Sequence, residues 1–161
     1  MIARLFILAL LIAGTSATAE TIAGKVVKVA DGDTITILAD RKQTRVRLAN
    51  IDTPERKQPW GKKAKQALAD LVAGEWVEVE VLDVDRYGRT IGLVLVGGIE
   101  ANRALVHDGH AWVYPRYNRD PELPDIEAEA RAAGRGLWSL PAAERIPPWQ
   151  WRREHRRRRK H

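Results

Sequence analysis

The 161-residue chain contains no cysteine. Disulfides, thiolate nucleophiles and cysteine-ligated zinc are therefore excluded, and stability outside the cell has to come from the hydrophobic core alone. The sequence also has no long hydrophobic run. Its apolar stretch at residues 5–13 is much shorter than the roughly 20 residues a spanning helix needs. That stretch follows Arg4 and precedes Ala17-Thr18-Ala19, small residues in the A-x-A arrangement of a cleavage site. These features predict a signal peptide over residues 1–19, cleaved after Ala19. The mature protein is expected to be soluble, without stable membrane insertion, and secreted or periplasmic. No internal repeat is visible.

Net charge is missing from the body of the protein as well. The formal charge is +6, yet residues 152–160 hold seven basic residues against one acid, Glu154. Outside that stretch and Arg4, 19 basic residues face 20 acidic ones. The cationic character therefore sits in a C-terminal arm with no apolar residue to pack, which is expected to be disordered. Residues 141–151, with Pro147-Pro148, read as an extended linker into it. One globular domain over residues 20–140 is expected, with the arm acting as an electrostatic tether for polyanions, apart from any catalytic site; the alternative is an arm that docks on the barrel or is clipped by proteases after export.

Within the domain, alternation of apolar and polar residues predicts five strands, at residues 22–29, 34–38, 44–48, 77–81 and 91–96. In the third, Val46 and Leu48 share one face and Arg45 and Arg47 the other. Ala64, Ala67, Leu68 and Leu71 fall at the spacing of a one-sided helix that Gly74 stops. Further helices are expected at residues 101–108, before Gly109, and 123–133, where Ile126, Ala130 and Ala133 make a stripe before Gly134. Five short strands with about three helices suit a small closed β-barrel of OB type, an α+β fold.

Hydrolysis of a phosphodiester needs a hard cation, positive donors for the charge that builds on phosphorus, and a base or orienter for water. Asp33 ends a turn and Asp52 opens the loop after the third strand, so two carboxylates from separate segments could converge on calcium, with the Thr53 carbonyl as a third oxygen ligand. Taken singly, these segments have plain structural readings. Asp31-Gly32-Asp33 is an ordinary turn, Asp52-Thr53-Pro54-Glu55 an ordinary loop opening, Asp85-Arg86-Tyr87-Gly88-Arg89 a hairpin tip, and Arg47 a solvated strand residue. Their joint occurrence is what carries weight.

Together, Asp31-Gly32-Asp33-Thr34, the segment from Arg47 to Glu55 and Asp85-Arg86-Tyr87-Gly88-Arg89 resemble the three active-site motifs of the staphylococcal nuclease family, in family order and at similar separations. The resemblance continues at Asn102-Arg103-Ala104-Leu105-Val106, at residues 109–114 and at Gly136-Leu137-Trp138, so that it spans roughly Ala23 to Trp138. It implies a micrococcal-type endonuclease that is calcium-dependent, accepts DNA and RNA and leaves 3′-phosphate products. It also implies that Asp33, Asp52 and the Thr53 carbonyl bind calcium, that Glu55 orients or deprotonates the attacking water, and that Arg47 and Arg89 grip the scissile phosphate. The substrate-binding tyrosines of the family correspond loosely to Tyr114 and Tyr117, because Pro115 and Arg116 alter that stretch. Arg86 stands where the family has lysine, and Tyr87 is retained for contact with the nucleotide.

Other residues have structural readings. His107 and His110 flank a helix end at Gly109 without a third ligand at suitable spacing. Trp76, Trp112 and Trp138 lie inside predicted elements, where burial is the default, whereas Trp149 and Trp151 sit beside the basic arm. Lys57, Lys62, Lys63 and Lys65 read as a solvated face. A non-catalytic nucleic-acid or peptide reader on the same barrel is the rival to an enzyme, but it has no need to keep Asp33, Arg47, Asp52, Glu55 and Arg89 together. The protein is expected to be a monomer.

Overall fold

A computed structural model describes residues 20–158. The expected signal peptide and the end of the basic arm, residues 159–161, lie outside the described residues. In chain order the strands and helices are β1 (Thr21–Val29), β2 (Thr34–Ala39), β3 (Lys42–Leu48), β4 (Ile51–Asp52), α1 (Gly61–Val72), β5 (Trp76–Val84), β6 (Thr90–Val96), β7 (Ile99–Glu100), α2 (Ala101–His107), β8 (Trp112–Val113), α3 (Leu123–Ala132) and α4 (Pro148–Arg158). Short 3-10 turns at Gly136–Ser139 and Ala142–Glu144 lead into α4.

All five expected strands and all three expected helices are present. The strands lie in the order β3-β2-β1-β5-β6-β7, and a parallel pairing of β3 with β6, Val46 beside Thr90 and Leu48 beside Gly92, closes five of them into a mixed barrel of OB type. Asp40 and Arg41, both at positive φ, form the tight turn that joins β2 to β3. Alternation sends Val26, Ile35, Ile37, Val46, Leu48, Val77, Val79 and Val94 inward, where Leu68 and Val72 of α1 and Leu105 and Val106 of α2 complete the core. Trp76 departs from its expected burial. It opens β5 one residue before the inward-facing Val77, so alternation turns it outward, and it is 67% exposed. Trp112 and Trp138 are buried as expected, in a second apolar cluster with Ala130 and Leu137, and the Arg131 guanidinium lies 4.2 Å from the Trp138 ring.

His110 belongs to the edge of that cluster and has a structural role. Burial lowers its pKa from the ordinary 6.5, and Trp60 Nε1–H donates to its Nδ1 at 3.0 Å, a bond that a protonated Nδ1 cannot accept. The unfolded chain protonates this ring at higher pH than the folded protein does. The stability it contributes is therefore whole above about pH 6.5 and is lost as pH falls through the lowered folded value. The thermal midpoint is expected to drop on the acid side of neutrality, and His110→Gln, which keeps an acceptor without a titrating ring, should flatten that drop in melts across pH.

Candidate active site

The site forms on one rim of the barrel, where β2, β3 and β4 meet. Gly32 lets the β1–β2 turn press against the loop after β4, since a Cβ there would come within 2.7 Å of Thr53 Oγ1. Asp33 follows. It is 6% exposed, and its carboxylate accepts the Thr34 hydroxyl at 3.1 Å, the Thr53 backbone N–H at 3.2 Å and Arg47 Nη2 at 3.3 Å. Register explains the last contact, because Thr34 of β2 lies opposite Arg47 of β3. Asn50 then takes the left-handed conformation, φ 66°, and turns the chain out of β3 into β4. The β4 strand is only two residues long and is held by β8, with Asp52 opposite Trp112. Asp52 is 1% exposed and accepts Arg47 Nη2 at 3.0 Å.

The C-terminal arm supplies a residue that the sequence did not suggest. Instead of an extended linker and a disordered tail, residues 148–158 form α4, with Pro148 buried at its first position. A proline is pre-organised for that position, so Pro147-Pro148 marks a helix start here. Trp149 and Arg152, three apart on one helical face, reach the site. Arg152 Nη2 donates to Asp52 Oδ2 at 2.6 Å, while Nη1 donates to Asp52 Oδ1 at 3.1 Å and to Glu55 Oε1 at 2.8 Å. The expectation that the arm lies apart from the catalytic residues is thus corrected for its first turn. Buried acids without enough nearby positive charge attract a guanidinium, and composition alone could not show where Asp52 would be.

Electrostatics at this rim are finely opposed. Burial pushes the Asp52 carboxyl above its usual range; hydrogen bonding to Arg152 acts against that, and the charge of Asp33 adds to it. Burial also disfavours the charge of Arg152, but its bonds to Asp52 and Glu55 more than compensate and hold it protonated.

The remaining expected residues surround this centre. Arg89 does not join the acids; its Nε and Nη2 each lie 2.7 Å from Asp85 Oδ2 within the β5–β6 turn. Because Arg47 lies beside Ile91 in the β3–β6 pairing, Arg89, two residues earlier, alternates onto the same outer face as Arg47. Arg86 and Tyr87 are exposed at that turn's tip, with the Arg86 guanidinium 4.9 Å from the Tyr87 ring. Tyr114, anchored by its N–H to the Asn50 carbonyl at 2.8 Å, stands between Tyr117, edge-on at 4.9 Å, and Trp149, stacked at 5.3 Å with 5° between planes. The Arg47 guanidinium lies 6.0 Å from the same ring. Lys57, Lys62, Lys63 and Lys65 are exposed, and Lys63 Nζ sits 4.1 Å from the Trp60 ring.

The donor set fits a hard cation. Asp33 Oδ2 and Asp52 Oδ1 bond the same nitrogen, Arg47 Nη2, and so face a common point. No three acidic or histidine side chains form an all-protein cage among the described residues. An ion here would take two carboxylates, backbone carbonyl oxygen and solvent, an all-oxygen set suited to a hard divalent cation.

A small mixed barrel here carries buried carboxylates interleaved with arginines on one rim, a set that can hold a hard cation beside guanidinium donors suited to phosphate. The model of the family described as staphylococcal nuclease homologue matches residues 45–140. An uncharacterized endonuclease of Escherichia coli O157:H7 is 48% identical over 130 residues, which cover 80% of this chain and 84% of that protein. Protein ParB of Escherichia coli is 46% identical over 163 residues, covering 94% and 90%. A micrococcal nuclease of Shigella flexneri is 45% identical over 141 residues, covering 81% and 80%. The chain belongs to the staphylococcal nuclease family. It is a nuclease, a hydrolase of phosphodiester bonds in nucleic acid.

Proposed function

We propose that this nuclease is exported, depends on calcium, accepts DNA and RNA, and leaves 3′-phosphate ends. The observation that carries the reading is the convergence of Asp33 and Asp52 on one nitrogen of Arg47, with Glu55 joined to Asp52 through a shared guanidinium. Asp33, Asp52 and the Thr53 carbonyl are the calcium ligands in this reading. Calcium, when bound, supplies positive charge to a non-bridging oxygen of the scissile phosphate. Arg47 and Arg89 donate from their planar forks to the other phosphoryl oxygens, where negative charge grows. Glu55, whose side chain is 40% exposed and so open to solvent, orients water and takes its proton as the oxygen attacks phosphorus. The electron pair of the broken P–O5′ bond leaves with O5′, which takes a proton from solvent, giving a 5′-hydroxyl and a 3′-phosphate.

Arg86, Tyr87, Tyr114 and Tyr117 line the approach as substrate contacts, and the protein works as a monomer. The leader-like residues 1–19 support export to the periplasm or beyond, and no helix among the described residues is long and apolar enough to cross a membrane. The test uses the mature protein with end-labelled single-stranded DNA and RNA in calcium, magnesium or chelator. Cleavage in calcium, little in magnesium and none in chelator is expected, with product 5′ ends that a kinase labels without prior phosphatase treatment. Full activity in chelator would remove the metal from the reaction, and 5′-phosphate ends would reverse the polarity of cleavage.

A further inference from the structure

We propose that α4 is a self-inhibitory lid, in which Arg152 and calcium compete for the same carboxylate oxygens. This rests on the reading of Asp33 and Asp52 as calcium ligands. Both oxygens of Asp52 are engaged by Arg152, at 2.6 and 3.1 Å, and the same guanidinium reaches Glu55 at 2.8 Å. A divalent ion seated on Asp52 would meet a fixed positive charge within hydrogen-bonding distance of its own ligand, in a site too dry to screen the repulsion. Arg47 already shares Oδ1 at 3.0 Å, but Arg152 takes both oxygens of Asp52, so its docking opposes calcium binding. The lid also closes over the tyrosines. Trp149 lies parallel to Tyr114, in the stacked arrangement that a nucleobase would adopt on that ring.

The helix is built to come off. Its anchors are confined to its beginning: Arg152, Trp149 on Tyr114 and edge-on to Trp112 at 6.0 Å, the buried Pro148, and a hydrogen bond from the Gln58 side chain to the Ile146 carbonyl. Beyond Arg152, residues 153–158 are exposed. An element with few buried contacts, all at one end, sits at the low-stability end of a fold.

The test compares full-length wild type with Arg152→Ala, Arg152→Lys and Trp149→Ala, measuring calcium affinity by titration calorimetry without nucleic acid. If the lid is closed in roughly 90–99% of molecules without calcium, opening it tightens the apparent affinity about 10- to 100-fold. Arg152→Ala should reach that range, and Arg152→Lys should fall between it and wild type, since ammonium keeps the charge but not the fork. Trp149→Ala touches no carboxylate, yet should also tighten binding by releasing the helix. Tryptic cleavage after Arg153, a site all four proteins keep, should be slow in wild type, accelerated by calcium, and fast in the alanine variants with or without calcium. Equal calcium affinity in wild type and the two alanine variants, with binding measurable in each, would overturn the lid and leave the calcium reading standing. No calcium binding by any of the four proteins would overturn both.

Discussion

Alanine at Arg89 is expected to lower turnover on single-stranded DNA roughly 10²–10³-fold, with almost no change in thermal midpoint. The turn that carries Arg89 does not need its side chain. Asp85 accepts the backbone N–H groups of Tyr87 and Arg89 at 2.9 and 3.0 Å, and those bonds survive the substitution. What is lost for stability is one partly exposed ion pair, worth about 0–1 kcal/mol. What is lost for catalysis is a fork that can leave Asp85 for phosphate. Arg47→Ala should lose comparable turnover and also stability, by about 3 kcal/mol, because it takes a donor from two buried carboxylates. Calcium stabilises any variant that binds it, and should raise the midpoint of Arg47→Ala more than that of Arg89→Ala, because only in the former does it replace a lost positive partner of the two carboxylates. Steady-state kinetics and calorimetric melts with and without calcium check the pair. Parental turnover in Arg89→Ala would remove Arg89 from the reaction.

The largest loss of stability is expected at a residue outside the site, Asn102. It is wholly buried at the start of α2, accepts the Val94 N–H at 3.0 Å, and donates to the carbonyls of Ala49 and Gly92 at 2.9 and 3.2 Å. Gly92 keeps a second partner in the Ala49 N–H, but leucine at position 102 strands the Val94 donor and the Ala49 acceptor. At about 1–3 kcal/mol for each unsatisfied buried group, Asn102→Leu should cost roughly 2–6 kcal/mol, a large share of the about 5–15 kcal/mol typical of a domain. Denaturant midpoints measure this directly. A midpoint equal to the parent's would mean that the strands hold without the asparagine tie.

The sequence made the barrel readable where period alone decides, as in Val77 and Val79 facing inward between Glu78 and Glu80. It could not reveal β4 and β8, which are too short for a period and exist only because Asn50 turns the chain and Trp112 lies opposite Asp52. The carboxylates and arginines were legible as motifs, and the structure gathers Asp33, Arg47, Asp52 and Glu55. Arg89 remains with Asp85, since an ion pair four residues away forms within the turn itself. The role of Arg152 was hidden because a run of arginines looks alike along its length, and only tertiary placement of a buried acid distinguishes the first from the rest. The i, i+3 spacing of Trp149 and Arg152 after Pro148 was the available sign, legible only once that stretch is taken as a helix.

The pairing of Asp52 with Trp112 also bears on when the enzyme can first act. A growing chain that has emerged only through β4 carries Asp33, Arg47 and Asp52, but not the strand that pairs with Asp52. The two-residue strand β4 has no partner until β8 has been made, and the parallel closure of the barrel waits for β6. Every nascent chain that ends before residue 113 consequently lacks the strand that pairs with β4, so the centre is completed only after most of the domain has been made.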